Sequence, residues 1–182
     1  MIWWIGYVVL LLALFVRVQA PDGAPRAPLR AGPDEPLGLV RAHHAVFYAI
    51  LLGTPVEALV LGGAGRGRVL GLLAFALGVA LYRIAGRTLG AALSPLVAPR
   101  PGAPLVTGGP YRWLRHPMYV GQSLIAVGAP LTLGARRVVW LVLPALAILV
   151  VRARREDAAL ARTFPEHARW AAHAKRLVPF VF

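Results

Sequence analysis

The 182-residue chain contains no cysteine. That excludes disulfides, thiolate metal sites, a cysteine nucleophile and palmitoyl anchors. Acidic residues are scarce, with 7 Asp+Glu against 20 Lys+Arg and a formal net charge of +13. No Gly-rich dinucleotide fingerprint occurs, which counts against a nicotinamide-dependent reductase. Only 15% of the residues are charged, 58% are hydrophobic and mean hydropathy is +0.66. A soluble domain of this size is not so apolar, so the composition predicts an all-α, polytopic integral membrane protein. The basic excess lies in short runs beside apolar segments, where anionic lipid headgroups account for it without nucleic acid.

Five apolar segments predict about five transmembrane helices: Ile2 to Val16, Ala45 to Leu61, Val69 to Tyr82, Met118 to Leu133 and Val138 to Val151. Pro55, Gly78, Gly128 and Pro144 within them are tolerated in lipid, and Gly71, Ala74 and Gly78 suit close helix packing. Val18-Gln19-Ala20 looks like a small-x-small cleavage site, but the first segment has no basic n-region, so a retained helix is expected. With that helix starting outside, 16 of the 20 basic residues fall on the inner side, from Arg17, Arg26 and Arg30 to Lys175 and Arg176. The positive-inside rule then places the polar patches on the cytoplasmic face of the inner (cytoplasmic) membrane. Pro21 to Leu37 reads as an irregular connector without chemistry, and Ser94 to Gly109 as a second connector. Beyond Val151 the pattern turns amphipathic, with Leu160 and Phe164 one turn apart. Thr163 and Glu166 form a capping-box pattern around Pro165, which predicts a break, a second helix to about Lys175 and hence a C-terminal helical lid. The chain reads as one membrane domain over 1–182, with N-terminal helices in 1–93 and a cofactor-binding half in 94–182.

The densest polar chemistry lies in Gly109-Pro110-Tyr111-Arg112-Trp113-Leu114-Arg115-His116-Pro117-Met118-Tyr119-Val120-Gly121. Pro117 suits a first helical position, which predicts unpaired N–H groups at Met118, Tyr119 and Val120 facing an anion. Arg115 and His116 stand beside that end, with aromatic faces at Tyr111, Trp113 and Tyr119 for a cation or a heterocycle. A carboxylate, a sulfonium and an adenine match these three features, and S-adenosylmethionine carries all three. The plainer reading is an interfacial belt of Arg, Trp and Tyr on a non-catalytic membrane scaffold. Against it stands Arg154-Arg155-Glu156-Asp157, which follows the next apolar segment and so returns to the same side.

From about Leu89-Gly90 to Pro179 the chain resembles the integral-membrane methyltransferases that include isoprenylcysteine carboxyl methyltransferases and phospholipid methyltransferases. The resemblance rests on Val106-Thr107, Gly109-Pro110-Tyr111-Arg112, Arg115-His116-Pro117-Met118-Tyr119-Val120-Gly121, Glu156-Asp157, Leu160 and Phe164. The family usually has a second Glu at Asp157, a Gly at Pro165 and tyrosines near Ala168, Trp170 and Ala171. The resemblance implies S-adenosylmethionine as cofactor, with Tyr111, His116, Pro117, Met118, Tyr119, Gly121, Glu156 and Asp157 in its site. Arg115, His116 and Glu156 are the implied catalytic residues.

Glu156 is expected to hold the ribose hydroxyls or the ammonium of the ligand, or else to pair with Arg152 at i,i+4. His116 is a cofactor contact or a base, and Arg115 neutralises an acceptor carboxylate or phosphate. His43 and His44 are expected at the interface and not as ligands, because adjacent residues do not share one helix face and no spaced carboxylates suggest a metal. Glu57 is expected to snorkel outward, away from the pocket. Lys175 and Arg176 suit a helix C-terminus and attract anions. The expected activity is methylation of a lipophilic acceptor drawn from the bilayer, most like isoprenylcysteine carboxyl O-methylation, with phosphatidylethanolamine N-methylation as the alternative.

Overall fold

The computed structural model describes residues 1–15, 31–32, 35–63 and 65–177. The described residues are helical, with no strand and one isolated bridge between Leu114 and Lys175. The helices are α1 (Ile2–Phe15), α2 (Leu37–Leu61), α3 (Arg68–Leu89), α4 (Pro117–Leu133), α5 (Val142–Thr163) and α6 (His167–Ala171). By length and composition α2 and Arg68–Ala92 suffice to cross a membrane, whereas α1 is a shorter apolar helix. Arg17, Arg26, Arg30, the Val18-Gln19-Ala20 site, most of the first connector and Pro179 lie outside the described residues.

Three helices outrun their apolar segments. α2 begins at Leu37 and so includes Arg41, His43 and His44; α3 continues past Tyr82 through Arg83 and Arg87; α5 carries Arg152 to Asp157 on the same helix as Val142 to Val151. Backbone hydrogen bonding propagates through polar residues at little cost, so hydropathy marks the apolar part of a helix and not its end. Phe164 is extended (φ −118°, ψ 110°), as a residue before proline should be, and α5 stops there. The expected capping box does not form: Thr163 Oγ1 donates back to the Ala159 carbonyl at 2.9 Å, and α6 ends at Ala171, short of Lys175.

The central seam joins α3 to α4, with α1 on α3 and α2 against α4 and α5. Gly71 and Gly78 face Gly128 and Gly121 in antiparallel register, each pair seven residues apart. A Cβ at Gly78 would lie 2.7 Å from the Gly121 carbonyl oxygen, and one at Gly71 would lie 2.6 Å from the Thr132 nitrogen. In lipid, helix association depends on close packing and not on apolar burial, so this seam sets how tightly the two helices dock. Phe75, Ile125 and Ala129 fill it without exposure. Outward faces of α2 and α3 are apolar and exposed, Leu59, Val60, Leu70 and Leu77 among them. Glu57 lies away from the motif, as expected, but it is occupied: its carboxylate accepts the Arg137 and Val138 N–H groups at 2.8 and 2.7 Å and so caps the turn that leads into α5.

Candidate active site

The motif is held between the second connector, α4 and the C-terminal segment. Gly109 takes φ +55° to open a short turn through Arg112, and a Cβ there would touch Thr88. Tyr111 is thereby buried, and its carbonyl accepts the Trp170 Nε1–H at 2.9 Å. Three backbone hydrogen bonds strap the motif to the C-terminal segment: Arg115 N–H to the Lys175 carbonyl at 2.7 Å, His116 N–H to Arg176 at 3.2 Å, and Lys175 N–H to Trp113 at 2.9 Å. Pro117 opens α4 as predicted. The N–H groups of Tyr119 and Val120, however, donate to the His116 carbonyl at 3.0 and 3.2 Å. Two of the three amides expected to face an anion are therefore already satisfied, because the residue at the helix cap supplies its own acceptor.

Beside this helix start a charge cluster forms. His116, 5% exposed, sets Nε2 3.0 Å from Asp157 Oδ1 and Nδ1 3.4 Å from Glu156 Oε2. Its ring stacks on Tyr119 at 5.4 Å. Asp157 also accepts from Arg176 Nε at 2.5 Å and Arg115 NH1 at 3.2 Å. Arg115 also donates from Nε and NH2 to the Ala174 and Ala171 carbonyls at 2.8 and 2.6 Å. Burial alone would lower the His116 pKa, but the two facing carboxylates outweigh it and raise the pKa above its ordinary value. Burial likewise opposes the Asp157 charge, yet His116, Arg176 and Arg115 hold that carboxyl well below the usual range. Burial pushes the Tyr111 hydroxyl up.

Arg152, only 3% exposed, joins four elements. It donates to His43 Nδ1 at 2.5 Å and to the Pro95 carbonyl at 2.8 Å, approaches Glu156 Oε1 at 3.5 Å, and lies over the Tyr119 ring at 5.5 Å. Tyr119 donates its hydroxyl to Glu156. The i,i+4 pairing of Arg152 with Glu156 is thus real and coexists with a site position. Glu35, from the connector expected to carry no chemistry, accepts the Val97 and Ala98 N–H groups at 2.7 and 3.1 Å and pins the second connector.

These elements line a half-open cavity of about 330 Å³. Of the sequence-predicted residues, Tyr111, Arg115, His116, Met118, Tyr119 and Glu156 line it. Pro117, Gly121 and Asp157 do not: Gly121 meets the backbone of Gly78 and Tyr82, and Asp157 is turned toward Arg115 and Arg176. His43 and His44 line the cavity, contrary to the interfacial expectation, as do Gln122, Arg152 and Trp170. Among the described residues no group of three or more His, Cys, Asp or Glu is placed to hold a metal.

Residues 67–167 match the family described as phospholipid methyltransferase. Among solved structures, the chain is similar to the eukaryotic intramembrane Ras methyltransferase, isoprenylcysteine carboxyl methyltransferase, solved without a monobody. The TM-score is 0.55 at 22% identity, over 84% of this chain and 55% of that one. The chain thus spans little more than half the length of that neighbour, and the likeness is one of fold. No curated protein matches at a significant level. With the matching segment covering more than half of the sequence, the chain belongs to the phospholipid methyltransferase family of membrane methyltransferases.

Proposed function

We propose that the protein is an S-adenosylmethionine-dependent methyltransferase that modifies a lipophilic acceptor at the cytoplasmic face of the membrane. The observation that carries this reading is the cavity itself, where Glu156 and the His116 ring meet Tyr111, Tyr119 and an apolar connector on one wall. Its volume lies at the lower end of the range for small-molecule sites. The donor set fits the cofactor: a carboxylate for ribose hydroxyls or an ammonium, aromatic faces for a cation or an adenine, and buried polar atoms at His43 Nε2, Arg152 Nε and Gln122 Oε1 that lack partners. When bound, S-adenosylmethionine would supply a methyl group activated by its sulfonium.

The protein's own part is to position and to exclude water. Glu156 and Tyr111 would hold the cofactor; Arg152 and His116 fix the Glu156 carboxylate in place; Asp157 positions His116 from outside the cavity. Leu160 on α5 and Phe164 just beyond its end give the cavity an apolar wall suited to a bilayer-borne acceptor, and α6 would act as the lid. A carboxylate acceptor, the isoprenylcysteine reading, is supported by the fold neighbour. A phospholipid amine is supported by a specific observation: Arg115 and Arg176, expected to attract a carboxylate, are both engaged by Asp157.

Calorimetric titration tests the cofactor. S-adenosylhomocysteine should bind and NADPH should not. Glu156→Gln should weaken binding by about 10- to 100-fold, as expected when a charged hydrogen-bond partner becomes neutral. Binding of NADPH alone would overturn the reading, and equal affinity of parent and variant would remove Glu156 from the site.

A further inference from the structure

Two adjacent histidines on α2 line the cavity, and their hydrogen bonds fix them in opposite tautomers. An arginine side chain only donates, so Arg152 NH1 at 2.5 Å from His43 Nδ1 makes that nitrogen the acceptor and leaves the ring proton on Nε2. A carbonyl only accepts, so the Val40 oxygen at 2.8 Å from His44 Nδ1 keeps the proton on that nitrogen. The neutral His44 ring then carries its lone pair on Nε2. The two rings stack, with centroids 5.3 Å apart.

The other basic groups on the cavity wall are committed. His116 faces a carboxylate from each ring nitrogen and so donates from both. His43 has given its lone pair to Arg152. Glu156 is occupied by Tyr119, Arg152 and His116. Among the described residues, His44 is the cavity-lining histidine whose ring keeps a lone pair, on Nε2, with no hydrogen-bond partner. His44 also lies outside the segment 67–167 that defines the family match.

Resting on the methyltransferase reading with a lipid-amine acceptor, we infer that His44 is a catalytic general base that takes the proton of the acceptor ammonium. The acceptor proton passes to His44 Nε2. The freed nitrogen lone pair forms the new bond to the methyl carbon, and the methyl–sulfur bond of the sulfonium donor breaks with its electron pair staying on sulfur. The imidazolium then returns its proton to solvent. A carboxylate acceptor needs no such base, which is what makes the assignment discriminating.

Two measurements on the full chain in detergent micelles test it. With 15N-histidine labelling above the imidazole pKa, His44 should show a lone-pair Nε2 and His43 a protonated one, assigned through H44Q and H43Q; the same tautomer at both positions overturns the inference. With radiolabelled methyl donor and phosphatidylethanolamine, H44Q should lower kcat by about 10²- to 10⁴-fold, the usual worth of a positioned base, with S-adenosylhomocysteine affinity unchanged. An unaltered rate overturns the inference and leaves His44 as a ring held to its own helix. A parent enzyme that methylates a farnesylated cysteine carboxylate and no amine overturns it as well. Absence of S-adenosylhomocysteine binding to either protein instead defeats the methyltransferase reading beneath it.

Discussion

Replacing Asp157 by Asn isolates what the charge cluster contributes. The carboxylate accepts from Arg176 Nε at 2.5 Å, Arg115 NH1 at 3.2 Å and His116 Nε2 at 3.0 Å. An amide keeps one acceptor oxygen and turns an NH2 group toward donors, so at least one of these contacts becomes donor against donor. Hydrogen bonds to charged groups are worth about 1.5–3 kcal/mol each, and stripping the partner from a buried ion pair costs about 3–5 kcal/mol. The arginine side chains are 20% and 28% exposed, so water recovers part of the loss, and the net destabilisation expected is about 2–4 kcal/mol. Denaturant titration in micelles, followed by circular dichroism, reads it. Because Asp157 faces the strap and not the cavity, S-adenosylhomocysteine affinity of the folded variant should fall less than it does in Glu156→Gln. A variant as stable as the parent would refute the cluster's structural role; a loss of affinity exceeding that of Glu156→Gln would put Asp157 on the cofactor.

Gly78→Ala should destabilise the α3–α4 seam by about 1–3 kcal/mol, because its Cβ would meet backbone at 2.7 Å from Gly121 and 2.8 Å from Ile125, atoms that cannot rotate away; a variant that melts with the parent would contradict the tight seam. Stability should also depend on pH. The raised His116 pKa adds stability that is fully present below about pH 6.5 and is lost as pH rises through the folded value, while the depressed Asp157 pKa adds stability present above about pH 3.9 and lost as pH falls through its folded value. The cluster's contribution is therefore greatest between those limits and declines toward alkaline pH; thermal melts that show rising stability from pH 6 to 9 would oppose it.

The helices were legible because long apolar runs mark their cores, and the motif was legible because its residues are contiguous. Pro117 starts α4, and Tyr111, His116 and Glu156 line one cavity. Partners supplied by distant segments were not legible. Arg115 and Arg176 read as headgroup arginines because nothing in the chain order shows that Asp157 will stand between them. His43 read as interfacial because hydropathy reports that α2 is buried in something without saying that its first turns face Arg152 on α5.

Glu156 and Asp157 show where reading by spacing stops. Neighbours on a helix point about 100° apart, so the two carboxylates can take different partners. Sequence alone does not choose between them. The choice is made by the strap: Lys175 and Arg176 pair with Leu114, Arg115 and His116, and that places Arg176 against Asp157. Asp157 is drawn to the strap, and Glu156 is left to Tyr119, Arg152 and the cavity. The strap residues 174–176 lie beyond the segment 67–167 that defines the family, and His43 and His44 lie before it. The family segment thus holds the motif and both carboxylates. Arg176, which draws Asp157 to the strap, and the His43–His44 pair on the cavity wall come from outside it.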